Sequence, residues 1–194
     1  MINLEEDIVL EGYGVKLKRL THDKIEMLRQ WRNDPKISQY MFYREYITPE
    51  MQERWFANLD KKCNYYFIIE YEGKEVGCIN IKDIDWEKRT GEPGTFIYDD
   101  DCLDSDVAVR AGFCMDEWIW HELKLDYMTI EVQRSNRRAL QMNKANGYEE
   151  LPPLPGDSED KVRMILTREK ALAPNKLMDR LRKIFANEEL KIKK

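Results

Sequence analysis

The chain has 194 residues, of which 42% are hydrophobic and 36% charged, a length and composition typical of one globular domain with a sizeable core. Its net charge of -5 argues against general nucleic-acid binding, which needs a basic face. No apolar run approaches the length of about 18 residues that a membrane span requires, and the N-terminus lacks the basic and then apolar pattern of a signal peptide.

The first third of the chain predicts a strand followed by two helices. Apolar and basic residues alternate over 15–20, which indicates a strand. A helix follows, with Thr21 as its expected cap and Pro35 as its stop, because the residue before a proline avoids the α region. A second helix is expected after Thr48, with this threonine as N-cap and Pro49 at the first helical position.

Strands dominate the next segment. The aromatic and β-branched run 65–71 predicts a strand, and a short turn joins it to a second strand over 76–81. Residues 83–94 are interpreted as a polar loop, and residues 95–98 as another short strand. This part of the chain is therefore expected to contribute three strands to a sheet.

Helices and strands alternate in the C-terminal half. An acidic loop, 99–106, leads into a helix expected over about 107–124, and a strand over 125–132 follows. A proline-rich loop and a strand over 162–166 predict a long-looped hairpin at the end of the domain. A separate amphipathic helix is expected from Pro174 to Leu190.

The most informative segment runs from Ile130 to Tyr148. It begins as a strand, and Ser135-Asn136 then supplies residues favoured at helix N-caps. Gly147 ends the helix, because glycine tolerates the left-handed conformation that a C-cap needs. This unit resembles the last conserved motif of GNAT-type N-acetyltransferases, and its spacing from Glu131 to Tyr148 fits without a gap.

A second resemblance lies in residues 31–41. They are similar to the first-helix segment of acetyltransferases in the pseudaminic acid pathway, which acetylate the 4-amino group of a UDP-linked amino sugar, and more loosely to ribosomal-protein and antibiotic acetyltransferases. The element order over about 13–168 is also the GNAT order. The resemblance therefore implies an α/β (α+β) GNAT fold, with a mixed twisted sheet of about seven strands and helices on both faces. It places this domain in residues 1–170 and a helical tail in 171–194.

The activity that the resemblance implies is transfer of an acetyl group from acetyl-CoA to an amine, with the amine attacking the thioester directly. In this family the pantetheine arm pairs like an extra strand with the strand matching 95–98, in a slot made by its splay from the strand that ends near Glu131. Glu131 matches the catalytic base, which often acts through water, and Asn143 stands at the position of the general acid. The resemblance assigns cofactor binding to Phe96, Ile97, Tyr98, Val107, Ala108, Val109, Arg110, Asn136 and Ala139, and acceptor binding to Tyr40, Met41 and Tyr43.

Two departures from the family pattern affect these assignments. The family has Tyr at the position of Asn143; Asn cannot give up a proton, although its amide can donate a hydrogen bond to the sulfur. The family's diphosphate loop, Gln/Arg-x-x-Gly-x-Gly/Ala, is replaced by an acidic segment in which only Ala108 fits. The aspartates of 99–106 have two interpretations: they cap the helix and point to water, or they mark a loop that has lost normal CoA binding. Arg110 would compensate for their negative charge if it turned toward the phosphates.

Three hypotheses about function follow. The first is a cytoplasmic N-acetyltransferase acting on a small-molecule amine, an amino sugar or nucleotide-linked sugar. The second is a GNAT-fold binding or regulatory module with a degenerate CoA site, and the third is an acetyltransferase of protein N-termini or antibiotics. The four widely spaced cysteines indicate reduced thiols, and with only two histidines no metal site is expected. We expect a monomer or homodimer, with the tail helix packed on its own domain or on a second subunit, or alternatively on a membrane surface or partner.

Overall fold

The computed structural model describes residues 8–192, with side chains from 8 to 186. Eight strands within this range form one mixed sheet. They are Val9–Gly12 (β1), Val15–Arg19 (β2), Tyr65–Tyr71 (β3), Lys74–Asp85 (β4), Thr90–Ile97 (β5), Tyr127–Gln133 (β6), Glu149–Glu150 (β7) and Lys161–Thr167 (β8). Their spatial order is β1-β2-β3-β4-β5-β6-β8-β7, and all neighbouring pairs are antiparallel except β5 and β6.

Helices cover both faces of this sheet. They are Ile25–Asn33 (α1), Pro35–Ser38 (α2), Pro49–Ala57 (α3), Val107–Glu117 (α4), Arg137–Asn146 (α5), Arg168–Leu172 (α6) and Lys176–Ile192 (α7). One core joins α4 to one face of the sheet, with α5 packed against it, and a second core joins α1 and α3 to the other face. The two cores use alternate residues of the same strands, as the pleat of a sheet requires.

The sequence misses or misplaces several element boundaries. Strand β1 was not predicted; it forms a hairpin with β2 through Tyr13 and Gly14, whose φ angles of 57° and 82° suit a tight turn between twisted strands. The polar loop expected over 83–94 is wrong, because β4 and β5 extend into it and leave a short turn at 86–89. The long helix expected after the acidic loop continues past α4 only as a wider π-helical segment, Trp118–Leu123.

Other predictions of local structure are confirmed. Asn136 caps α5 with its side chain, whose Oδ1 accepts the Ala139 N–H at 3.1 Å. Gly147 ends the same helix at a φ of 101°. The tail helix is present as α7 and packs on its own domain, since Met178 and Phe185 are buried against Phe113 of α4.

The parallel strands β5 and β6 separate along most of their length. They pair only at Thr90 with Tyr127 and at Gly91 with Met128. Beyond these residues β5 stays paired to β4 as far as Ile97, while β6 stays paired to β8 as far as Gln133. The sheet is therefore continuous on each side of a wedge-shaped gap, as the GNAT resemblance implies.

Candidate active site

One wall of the gap is the free edge of β5. The side chains near its end are already packed: Phe96 and Tyr98 lie against Trp31, with ring centroids 6.4 Å and 5.2 Å from the indole, and Ile97 is buried in the opposite core. What this edge can present to a ligand is backbone N–H and C=O groups. An extended ligand can pair with such an edge as an added strand would.

The other wall of the gap is β6, which carries Glu131. Ile130 and Val132 point into the core below α4, so Glu131 lies on the opposite face of the sheet. Its carboxylate accepts a hydrogen bond from Lys161 Nζ at 3.1 Å and lies 4.0 Å from Arg163 Nε, both on the neighbouring β8. The contact with Glu131 raises the pKa of Lys161 above its ordinary value.

The face that carries Glu131 also carries a buried glutamine that the sequence analysis did not identify. Gln133 is only 2% exposed and donates from Nε2 to the Met41 carbonyl at 2.9 Å. Arg44 donates to both groups, through Nη2 to Gln133 Oε1 at 2.9 Å and through Nε to the Met41 carbonyl at 3.0 Å. These three hydrogen bonds close a ring that fixes the loop between α2 and α3 to the end of β6. The only signal in the sequence is a glutamine where the strand ends.

This loop, residues 39–48, is called the aromatic loop below. Three of its rings are about half exposed: Tyr40 at 47%, Phe42 at 48% and Tyr43 at 46%. The Phe42 ring centroid lies 5.4 Å from Lys161 Nζ, the same ammonium that contacts Glu131. The structure therefore brings the segment that contains Tyr40, Met41 and Tyr43 to the same face of the sheet as Glu131.

Helix α5 begins just after β6 at the open end of the gap. Ala139 and Leu140 pack against the core on this helix, and Asn143 lies one turn further along the same face and is half-buried. The backbone carbonyl of Asn143 accepts a hydrogen bond from the N–H of Tyr148, which lies two residues beyond the end of the helix. The sequence-predicted residues Asn136, Ala139 and Asn143 thus share one side of α5.

The comparisons with known proteins agree with this architecture. The family model described as an acetyltransferase (GNAT) domain matches residues 15–149. The chain belongs to the GNAT acetyltransferase family. No functionally curated protein sequence matches it significantly.

Several solved structures are similar to the chain. A spermidine N-acetyltransferase from Vibrio cholerae, in complex with CoA and spermine, aligns with a TM-score of 0.70 at 18% identity over 82% of this chain and 99% of that one. Apo FdhC, a nucleotide-linked sugar GNAT, aligns with a TM-score of 0.69 at 16% identity over 85% and 93%. A domain from Methanocaldococcus jannaschii aligns with a TM-score of 0.69 at 14% identity over 79% and 97%. At these identities the likeness shows the fold.

In this GNAT protein the acidic segment 99–106 is largely neutralised by its own neighbours. Lys36 pairs with Asp100 at 2.7 Å, Arg138 with Asp104 at 2.8 Å and Arg110 with Asp106 at 2.9 Å. Asp99 instead caps a short turn by accepting the N–H of Asp101. Paired in this way, the carboxylates repel an incoming anion far less than free ones would.

Arg110, one of the residues expected to bind the cofactor, has a buried side chain. Besides its two bonds to Asp106, it donates to the Tyr13 carbonyl at 3.0 Å, and its guanidinium lies 4.0 Å from the Phe185 ring centroid of α7. In this arrangement its donors serve the segment that joins β1 and β2 and the acid of its own helix, so cofactor binding by Arg110 would require these bonds to change and stays a prediction.

The first turn of α4 contributes mainly its backbone. Val107 is fully buried, and Ala108 packs against the core between α4 and the sheet. Val109 packs against the cluster that Phe113 forms with Met178 and Phe185 of α7. The N–H groups of a first helical turn have no carbonyl partner within the helix, and with the helix dipole they favour anions. Val107 N–H already donates to Ser105 Oγ at 3.2 Å, so the donors of the next residues are the ones that suit a phosphate.

Two further properties bear on the chemistry. Within residues 8–186, no group of three or more His, Cys, Asp or Glu side chains is arranged to hold a metal ion. The helices of the described segment include none with both the length and the apolar character needed to cross a bilayer.

Proposed function

We propose that this acetyltransferase moves an acetyl group from acetyl-CoA to the primary amine of an amino sugar or a nucleotide-linked sugar. The observation that carries the proposal is the gap between β5 and β6, which pair at only two positions. One side of this gap offers a free strand edge, and the other carries a carboxylate beside an exposed aromatic loop. A strand edge without a partner strand, facing a strand that carries a carboxylate, is the arrangement that an extended thioester arm and a base would need.

The surroundings of Glu131 favour a sugar-type acceptor over a polyamine. Lys161 and Arg163 stand beside the carboxylate, and Asp157 lies 3.6 Å from Lys161; the two cations offset the two carboxylates, so the site lacks the surplus of negative charge that would attract a polycationic acceptor. The two cations suit the phosphate groups of a nucleotide-linked sugar instead. The half-exposed rings of Tyr40 and Tyr43 add flat apolar surfaces against which a sugar or a base can stack.

The proposed roles follow from position. The backbone of 96–98, the first turn of α4, Asn136 and Ala139 would hold acetyl-CoA, which supplies an activated acetyl group. Glu131 would remove a proton from the acceptor ammonium through water, once the acceptor displaces Lys161 from it. The amide of Asn143 would donate a hydrogen bond toward the sulfur.

A second candidate is a binding module that no longer turns over acetyl-CoA. It is favoured by the ion pair that engages Glu131, because Lys161 occupies the carboxylate that an acceptor ammonium would have to reach. Asn143 also favours the binding module, because an asparagine cannot give up a proton as the family's tyrosine can. Transfer to protein N-termini or antibiotics stays a third alternative, and the cytoplasmic location, the domain boundary at 170 and the choice between monomer and homodimer stay predictions.

Mass spectrometry of acetylated products tests the proposal. The protein is incubated with acetyl-CoA and a panel of amines: a UDP-linked 4-amino sugar, spermidine and a peptide with a free N-terminus. We expect the sugar nucleotide to be acetylated fastest and Glu131→Gln to lower its kcat/KM by about a hundredfold or more. Glu122→Gln, an exposed carboxylate on the π-helical segment, is the matched control and should change nothing.

The thermal-unfolding midpoint with acetyl-CoA, measured alongside the product assay, separates the two classes of function. A chain that binds acetyl-CoA must be stabilised by it, whether or not it turns the compound over. A midpoint that does not move with millimolar acetyl-CoA would favour the binding module with a degenerate CoA site, and so would a raised midpoint without product from any amine. Equal rates for wild type and Glu131→Gln would show that Glu131 is not the base. Faster acetylation of spermidine than of the sugar nucleotide would overturn the acceptor assignment.

A further inference from the structure

The ion pair between Asp104 and Arg138 crosses the open end of the gap. Asp104 lies in the loop that follows β5, and Arg138 lies in the first turn of α5, directly after β6. Since β5 and β6 are parallel, their carboxyl ends meet at the same edge of the sheet. The 2.8 Å contact between Arg138 Nη1 and Asp104 Oδ1 therefore joins the two walls at the mouth through which an arm lying in the gap would leave.

This pair is the most exposed of the three that neutralise the acidic segment. The Asp104 side chain is 98% exposed and that of Arg138 is 60% exposed. By contrast, the Arg110 side chain is 8% exposed and that of Lys36 is 27% exposed. Exposed pairs between flexible side chains contribute little to stability, because water solvates both partners well. Of the three cations, Arg138 can thus change its partner at the lowest cost.

The pair connects Arg138 to the loop that leads into α4. Asp104 precedes the first residue of α4, Val107, by three positions. Its ion pair thus ties the guanidinium to the loop that leads into the first helical turn, where the N–H groups of Ala108 and Val109 have no carbonyl to bond within the helix. A guanidinium presents paired donors that match phosphate oxygens in a bidentate arrangement. A cation and helix N–H groups at one place form a suitable environment for a diphosphate.

We propose that Arg138 binds the diphosphate of acetyl-CoA and releases Asp104 in doing so. Asp104 holds the guanidinium at the mouth of the gap in the free protein, and the ligand's two negative charges replace its single charge. The released carboxylate turns into water, where it already lies. This arrangement supplies by a side chain the contacts that a glycine-rich loop would supply by its backbone. The inference rests on the proposed use of acetyl-CoA and names a ligand residue for that same site.

Isothermal titration calorimetry with CoA tests the role of Arg138. We expect Arg138→Gln to weaken CoA binding about tenfold or more, as loss of a charge-assisted contact requires. Arg137→Gln removes the same charge from the neighbouring position of α5 and should change the affinity less than about threefold. Dephospho-CoA keeps the diphosphate and lacks the 3′-phosphate, so the effect of Arg138→Gln should persist with it.

Asp104→Asn provides a change in the opposite direction. It removes the carboxylate that competes for Arg138, so CoA should bind about two to five times more tightly at low salt, with a smaller gain at high salt. Unchanged or weaker binding would overturn the exchange. Equal losses for Arg137→Gln and Arg138→Gln would overturn the specific contact, and loss of the effect with dephospho-CoA would overturn the assignment to the diphosphate. A wild-type chain that binds no CoA would overturn the proposed function as well, whereas wild-type binding with an inert Arg138→Gln variant overturns this inference alone.

Discussion

At the scale of single residues, Gln133 shows how one buried amide can organise a site. A carboxylate at this position could accept from Arg44 but could not donate to the Met41 carbonyl, and an apolar side chain could do neither. Only an amide satisfies both partners at once. The aromatic loop is therefore held to β6 by a residue that needs no contact with the reactants.

We predict that Gln133→Leu loosens the aromatic loop while leaving the gap intact. Arg44 loses its acceptor and the Met41 carbonyl loses a donor, which should lower the free energy of unfolding by about 1 kcal/mol, a small loss because the exposed Arg44 can bond to water instead. The KM for the best amine of the panel should rise about tenfold, whereas the affinity for acetyl-CoA, measured by calorimetry, should change less than twofold.

Two further variants make this test specific. Gln141→Leu alters an exposed glutamine of α5 and should leave both constants unchanged. Gln133→Glu keeps the bond to Arg44 and should recover part of the acceptor KM. Equal losses of acceptor and acetyl-CoA affinity in Gln133→Leu would show that this residue supports the fold in general and does not position the acceptor.

At the scale of elements, the sequence predicts the helices and strands whose ends are set by residues close to them in the chain. Helix α5 was predicted with both caps because Asn136 and Gly147 act within a few residues of themselves. The start of β5 was missed because its polar residues pair with an equally polar end of β4, so neither shows an apolar alternation. The pair of Asp104 with Arg138 was missed because no pattern relates two charges on different elements.

The contact between α4 and α7 leads to a prediction about pH. Burial raises the pKa of Asp116 from 3.8 to about 7, with Arg182 of α7 opposing this rise and Glu117 adding to it. The folded state therefore keeps a proton that the unfolded state has already lost. The stability from this group is full below pH 3.8 and is lost as the pH rises toward about 7.

We predict that Asp116→Asn removes this loss. At pH 8 the variant should be more stable than wild type by about 1 kcal/mol, a modest gain because Asp116 lines an open cavity of about 350 Å³ that admits water and has Arg182 at 3.7 Å. Near pH 4 the two should be equally stable. Chemical denaturation at both pH values measures the difference, with Asp126→Asn as an exposed control. A variant that is less stable than wild type at pH 8 would show that the pair with Arg182 outweighs the cost of burial.

At the scale of the whole molecule, the sheet consists of two halves that meet at a short junction. Strands β1 to β5 form one half and β6 to β8 the other, and the direct pairing between them is confined to the first two residues of β5. The core under α4, the aromatic loop and the exposed pair at the mouth complete the connection. A ligand in the gap would contact both halves, so its binding should slow amide exchange mainly in the residues that line the gap.

Hydrogen–deuterium exchange with and without saturating acetyl-CoA tests this account most directly. The amides of 94–97 on the free edge of β5 should exchange more slowly in the presence of the ligand, together with those in the first turns of α4 and α5. The amides of β3, which is paired on both sides, serve as the internal control and should not change. Unaltered exchange over 94–97 at saturating acetyl-CoA would contradict the claim that the gap between β5 and β6 is the acetyl-CoA site.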